Sequence, residues 1–178
     1  METILYARLP EDIVVIRVAG KGNHQNSLAL REVVNLTGTA DKSPSYILDL
    51  DKCTTMDSTF MGIIASMALK QQRCVGTRTV VVNMNDHVRD LLSNLGLKYI
   101  LDMRGASDGY HARALGQANS YSSVETPDLD KIDRIILMIE AHERLIDVSS
   151  ENEVQFKGVL QSLRDSLDRT RAQNSNNP

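Results

Sequence analysis

The most informative part of this chain is a stretch in which a strand gives way to a helix. It runs Asp49-Leu50-Asp51-Lys52-Cys53-Thr54-Thr55-Met56-Asp57-Ser58-Thr59-Phe60-Met61-Gly62-Ile63-Ile64. The residues up to Leu50 predict a buried strand, and the mostly polar residues after it predict a short loop. Asp57-Ser58-Thr59 predict a helix start, because Asp and Ser are common caps. Ser58 is therefore expected at the carboxyl end of a strand, the edge where open α/β sheets usually bind ligands and partners.

Strand and helix signals alternate on both sides of this stretch. Runs of β-branched and apolar residues predict strands, and apolar residues at helical spacing predict helices. We expect strands at Ile4–Arg8, Asp12–Val18, Tyr46–Leu50, Thr79–Asn83 and Tyr99–Leu101, and helices at Ser27–Leu36, Ser58–Arg73 and Asp86–Leu95. The order is β-β-α-β-α-β-α-β, and strands joined through single helices indicate parallel crossovers. The sequence therefore predicts an α/β domain over residues 1–104.

The pattern changes near residue 105. Residues 105–127 are rich in Gly, Ser and Ala with little apolar periodicity, which predicts a linker. Thr126 is expected to cap a helix with Pro127 at its first position, and Ser150 to open a capping box with Glu153. The apolar stripes are Leu129, Ile132, Ile136, Ile139 and His142 or Leu145, and then Phe156, Val159, Leu160, Leu163 and Leu167. They predict a helical hairpin over residues 128–172, followed by a polar tail at 173–178.

Composition and charge exclude several classes of function. The 178 residues carry a net charge of −3, and aromatic residues make up 4% with no Trp. Nucleic-acid and anionic-membrane binders usually show a basic footprint, so we expect no direct contact with either. The N-terminus shows no signal-peptide pattern, and the longest apolar stretch, Phe60–Leu69, is shorter than a membrane span. A cytoplasmic protein is therefore expected.

The sequence offers no catalytic or metal-binding pattern. Cys53 and Cys74 match neither a metal motif nor a redox motif, and no pair of histidines has the spacing of a zinc site. Ser58 has Asp57 beside it but no assignable histidine base, so a hydrolase triad is unsupported. His142, on or beside the apolar stripe, is expected to be a surface or interface histidine. We therefore expect no catalytic residue, no metal and no cofactor.

Residues 4–104 resemble the STAS domain, and in particular bacterial anti-sigma factor antagonists. The matching residues are Tyr46–Thr55, Met56-Asp57-Ser58-Thr59 followed by Gly62, the helix to Arg73, the turn at Gly76, the strand Val80-Val81-Val82, and Val88-Arg89-Asp90-Leu91-Leu92 with Leu95-Gly96-Leu97. The resemblance implies a STAS-like β-sheet of four to five strands with helices. The predicted C-terminal α-helical hairpin is an addition to the minimal domain.

The resemblance also implies a regulatory function. In the family, the serine after the aspartate, here Ser58, is phosphorylated by a partner serine kinase that is itself the anti-sigma factor. The resemblance implies that this protein binds the kinase, which is of the GHKL type, while Ser58 is unphosphorylated. It releases the kinase once Ser58 is phosphorylated. A metal-dependent serine phosphatase resets the cycle. The implied partner-binding residues are Asn23, Asp57, Ser58, Thr59, Phe60 and Met61.

Two interpretations of Ser58 stay open. The first turn of a helix tolerates a phosphate, which would add about −1.5 to −2 charge to a surface that a partner buries; alternatively, Asp57 or Ser58 is only a cap. The chain also departs from the family, since Asn23 lacks the acidic charge common there and Phe60 replaces a small residue. The alternative function is a scaffold in a signalling or transport complex, or a homo-oligomer formed through the C-terminal helices.

Overall fold

The computed structural model describes residues 3–105, 109–118 and 120–175. Its strands are β1 (Thr3–Leu9), β2 (Ile13–Gly22), β3 (Ser45–Met56), β4 (Thr79–Val82) and β5 (Leu101–Met103). Its helices are α1 (Ser27–Thr37), α2 (Ser58–Val75), α3 (Asp86–Asn94), α4 (Gly109–Gln117), α5 (Lys131–Val148) and α6 (Glu151–Ser175), with a short 3-10 turn at Leu97–Tyr99. The last three residues of the predicted polar tail lie outside the described residues.

The five strands form one mixed sheet in the order β1-β2-β3-β4-β5. β1 is antiparallel to β2, and the other three pairings are parallel. The predicted α/β class and the element order of the first domain are thereby confirmed. β3 is longer than predicted, because the residues expected as a loop continue to pair with β2 as far as Gly22 and Met56. The last strand starts later than predicted, since residues 97–99 form the 3-10 turn after Gly96, whose φ is +78°.

The two faces of the sheet are covered differently. The main core lies on the face packed by α1, α2 and α3, and includes Ile16, Leu48, Phe60 and Leu92. A smaller cluster of Val15, Ile47, Val82 and Ala114 lies on the other face. The segment expected as a linker therefore contains a helix, α4, which covers apolar strand residues that water would otherwise contact. Ser122 then pairs with Tyr6 at the edge strand β1.

The predicted hairpin is present but begins and packs differently from the prediction. The cap is Asp130, whose carboxylate accepts a hydrogen bond from the amide of Asp133 at 2.8 Å, so the expectation of Thr126 as the cap was wrong. α5 packs against both α2 and α6. Because α5 has two neighbours, its buried face is Ile135, Leu137, Ala141, His142 and Leu145. His142 and Leu145 of the predicted stripe are therefore buried, whereas its other members, Leu129, Ile132, Ile136 and Ile139, are only partly buried. On α6, Phe156 and Leu160 are buried, whereas Val159 is exposed.

Among the residues that the structure describes, no helix combines the length and the apolarity that crossing a membrane requires.

Candidate functional site

Two loops meet at the carboxyl ends of β2 and β3, and the Asp57 carboxylate joins them. Oδ1 of Asp57 accepts the amide of Phe60 at 2.9 Å, which caps α2. Oδ2 accepts the amide of His24 at 2.8 Å, which holds the loop between β2 and α1. The amide of Asp57 donates to the carbonyl of Gly22 at 2.9 Å. One side chain therefore fixes the start of α2 and the approach to α1 relative to each other.

Asn23 shapes the second of these loops. Its Oδ1 accepts the amides of Gln25 at 2.9 Å and Asn26 at 3.2 Å, an arrangement typical of an Asx turn. Its own amide donates to Oδ1 of Asn26 at 2.8 Å. Asn23 thus lies at the same sheet edge as Asp57.

Ser58 is the first residue of α2, and its hydroxyl contacts the C-terminal hairpin. Ser58 Oγ lies 2.9 Å from Nε2 of His142, and Nδ1 of His142 lies 2.7 Å from the carbonyl oxygen of Met138. A carbonyl can only accept, so Nδ1 carries the proton. In the neutral ring Nε2 is then an acceptor, and the Ser58 hydroxyl donates to it.

The next turn of α2 touches α5 through backbone. Gly62 lies against Ala141, and a Cβ at position 62 would overlap the carbonyl oxygen of Ala141 and lie 2.6 Å from its carbonyl carbon. Ser58, Gly62 and Ser66 follow at intervals of four, so they line one face of α2. This row of small residues lets α5 approach α2 closely.

Three predicted contact residues are buried. Thr59, Phe60 and Met61 are each less than 5% exposed. The Phe60 ring packs beneath the β2–α1 loop, where a Cβ on Gly22 would lie 2.6 Å from it. The surface at this edge is therefore formed by Asn23, Asp57 and Ser58, and the other three support it from below.

The Ser58–His142 pair brings together a hydroxyl and an imidazole, as in a hydrolase. Two other features of such a site differ here. Nδ1 of His142 is held by a backbone carbonyl rather than a carboxylate, and the Asp57 carboxylate occupies the start of α2, where an oxyanion would be stabilised. Both features distinguish the arrangement from a hydrolase triad.

His142 is a site residue that no pattern in the sequence connects with Ser58. It is 3% exposed, and its ring contacts Phe156 edge-on at 4.9 Å between centroids. Its helical spacing indicated an interface, but no sequence signal identifies α2 as the surface that it meets. Within the described ranges, no group of three or more His, Cys, Asp or Glu side chains could hold a metal ion.

Comparison with known proteins identifies the first domain. The STAS domain family model matches residues 6–108. A solved structure of the anti-sigma factor antagonist SpoIIAA in its unphosphorylated form is similar, with a TM-score of 0.50 and 17% identity over 65% of this chain and 96% of that one. An anti-sigma factor antagonist from Mycobacterium paratuberculosis has a TM-score of 0.47 and 21% identity over 67% of this chain and 96% of that one. The structure of SLC26A9 has a TM-score of 0.39 and 14% identity over 67% of this chain and 24% of that one.

The search of curated proteins found no match. The SpoIIAA likeness, at this identity, shows a shared fold. The family match covers more than half of the 178 residues and includes the whole sheet edge around Asp57 and Ser58. The chain therefore belongs to the STAS domain family and carries three described helices, α4, α5 and α6, beyond the matched residues.

Proposed function

We propose that this protein is an anti-sigma factor antagonist whose binding is switched by phosphorylation of Ser58. Membership of the STAS family supports a binding role, and SpoIIAA, which shares the fold, is an anti-sigma factor antagonist. The partner is an anti-sigma factor that is also a serine kinase of the GHKL type. The protein acts in the cytoplasm as the substrate of this kinase and catalyses no reaction itself.

The observation that carries the proposal is the place of the Ser58 hydroxyl. Asp57, not Ser58, accepts the hydrogen bond that caps α2. Ser58 is therefore not needed as the cap, and its hydroxyl, which hydrogen-bonds to His142, supports a role other than capping. It lies at the sheet edge beside Asn23 and Asp57, where a phosphate would meet the positive end of α2.

The switch works through charge. Unphosphorylated Ser58, with Asn23 and Asp57, forms the surface that the kinase binds, while Thr59, Phe60 and Met61 hold that surface in shape from beneath. A phosphoryl group adds about −1.5 to −2 charge at an interface that must lose water, which opposes binding. A metal-dependent serine phosphatase removes the group and restores the binding form.

The test uses four forms of the full chain as immobilised baits in host lysate: wild type, Ser58→Ala, Ser58→Asp and Ser162→Asp. Ser162 lies exposed on α6, so its variant adds the same charge away from the site. We expect one ATP-binding kinase to be retained by wild type, Ser58→Ala and Ser162→Asp, and lost from Ser58→Asp. Equal retention of that kinase on all four baits would rule out the switch.

A second candidate is assembly through the C-terminal helices. Val154 and Val159 on α6 are 85% and 42% exposed, and apolar side chains of this kind are buried when helices associate. Light scattering of the wild type and of the Val154→Lys, Val159→Lys double variant tests it. Assembly is supported if the wild type is an oligomer and the double variant is a monomer. It is excluded if both proteins are monomers.

A further inference from the structure

α5 lies across the sheet edge proposed to bind the partner. His142 receives the hydrogen bond of Ser58, and one turn along α2 Ala141 rests on Gly62. Nearer the N-terminus of α5, Leu137 and Met138 line a cavity of about 250 Å³. Its opposite wall is formed by the β2–α1 loop and the start of α1, with His24, Gln25 and Leu28. α5 therefore covers the start of α2 and adjoins the β2–α1 loop.

The contact at Gly62 selects for a particular kind of helix. Because even a Cβ on residue 62 would overlap the backbone of α5, the glycine is what allows a crossing helix to bring its own backbone against α2. Ala141, which is 1% exposed, fits this close approach with a small side chain. A helix with a bulky residue at the equivalent position would be held away from Ser58.

α5 packs on the domain through Leu137, Ala141 and Leu145, which belong to the main core, but the packing is not continuous. Beside the Gly62–Ala141 contact the interface opens into a cleft of about 880 Å³, whereas a packed core contains few voids larger than a water molecule. Charged side chains line this cleft, among them Arg31, Lys70, Glu140 and Arg144. Arg31 and Glu140 span it with an exposed ion pair of 3.2 Å, and exposed pairs contribute little to stability. A competing helix that supplies apolar side chains in place of Leu137 and Leu145 would replace these contacts without unfolding the sheet.

We propose that α5 occupies the partner-binding surface in cis, and that a partner gains this surface by displacing α5 with a helix of its own that sets a small residue against Gly62. This inference rests on the proposed function, because that function identifies the edge around Ser58 as the partner's surface. While α5 is docked, the Ser58 hydroxyl is engaged by His142 and is shielded from a kinase. Displacement therefore precedes phosphorylation.

The test weakens the docking of α5 by a substitution in α5 itself, so that the surface of α2 keeps its native residues. In the full chain, Ala141→Glu places a charge where the structure is closed, and Ala172→Glu makes the same substitution at an exposed position of α6. The probe is a fluorescent peptide of residues 126–150, which supplies α5 in trans. We expect the Ala141→Glu chain to bind this peptide at least about tenfold more tightly than wild type or Ala172→Glu. Amide exchange in residues 131–148 should accelerate in the same variant alone.

A second substitution tests the role of Gly62. Gly62→Ala, added to Ala141→Glu, should abolish peptide binding, because the new Cβ blocks the close approach. Gly158→Ala is the matched control, since nothing lies within 4 Å of a Cβ built there. If Ala141→Glu loses exchange protection in β2 and β3, the domain itself is disturbed. His142→Ala, which removes the hydrogen bond to Ser58 and the ring contact with Phe156 but introduces no charge, is then used in place of Ala141→Glu.

Three results would overturn the inference. One is faster exchange in α5 without peptide binding; another is peptide binding that Gly62→Ala leaves unchanged. The third is that the wild type is a dimer by light scattering and that its two copies exchange α5. In that case α5 would cover the surface of the other copy and not of its own chain. None of these measurements involves a kinase or a phosphate. If the peptide binds as expected but Ser58 is never found modified, the proposed function is refuted. The inference that α5 covers this surface in cis is then still supported.

Discussion

Ser58 Oγ and His142 Nε2 lie 2.9 Å apart although 84 residues separate them in the chain. Their hydrogen bond joins the first turn of α2 in the STAS domain to the middle of α5 in the C-terminal extension. The backbone carbonyl of Met138 fixes the orientation of the ring from the other side. The residue proposed to be phosphorylated is therefore also one of the residues that attach the extension.

This hydrogen bond should appear as a coupling energy. Ser58→Ala and His142→Ala each remove one partner of the bond and lower the free energy of unfolding. The loss in the double variant should be smaller than the sum of the two single losses by about 1 kcal/mol. Chemical denaturation of the four proteins measures it. The cycle of Ser58→Ala with Thr170→Ala, whose threonine bonds within α6, should give a coupling near zero. A coupling near zero for Ser58 with His142 would show that the bond contributes nothing in solution.

Gly62→Ala should lower stability although Ala is the better helix former. Its Cβ overlaps the Ala141 backbone, so the loss of α5 packing should outweigh a gain of about 1 kcal/mol in helix propensity. Gly158→Ala, in open space on α6, should keep that gain and raise the thermal midpoint. Opposite shifts in the two melting temperatures are expected. A rise in both would mean that α5 does not pack on α2 as described.

Asn152 forms the second attachment of the hairpin. It is 2% exposed, and its Nδ2 donates to the carbonyls of Leu145 at 2.6 Å and Leu95 at 3.0 Å. Asn152→Ala would remove the side-chain donor from the buried Leu95 carbonyl, at a cost of about 1–3 kcal/mol, whereas the Leu145 carbonyl keeps the amide of Ser149 at 3.2 Å. Asn174→Ala, at an exposed amide on the same helix, should cost nothing measurable. Urea denaturation compares them, and equal midpoints would contradict the predicted attachment.

The two cysteines should differ in reactivity. Burial raises the pKa of the Cys53 thiol, although hydrogen bonds with Gly22 and Thr55 oppose the shift, and the thiolate is the reactive form. At a mildly alkaline pH, Cys53 should therefore react more slowly with iodoacetamide than the half-buried Cys74. Peptide mapping over time gives both rates, with the urea-unfolded chain as the control in which the difference disappears. Faster labelling of Cys53 in the folded chain would contradict its burial.

The sequence was sufficient where local patterns determine the outcome. The β-branched run in β2, the cap at Asp57 and the position of Ser58 in the first turn of α2 all follow from short-range preferences. The α/β order followed from counting strands and single helices. Each of these features depends on neighbours a few residues away.

Tertiary packing decided the features that were missed. Thr126-Pro127 is a good local start for a helix, but α5 begins at Lys131 behind the cap Asp130. Residues 105–127 lack apolar periodicity, yet they contain α4, because a helix there packs on the otherwise uncovered face of the sheet. The link from His142 to Ser58 arises because α5 packs on the small residues of α2, and a single sequence does not show which surfaces will meet.

Site mapping of the native protein tests the central claim most directly. The protein is isolated from its host under several growth conditions, digested, and analysed by mass spectrometry for the peptide that contains Ser58. We predict that a fraction of this peptide carries one phosphoryl group on Ser58, and that treatment with a metal-dependent serine phosphatase removes it. A Ser58 peptide that is unmodified under every condition, although fully covered in the spectra, would contradict the account.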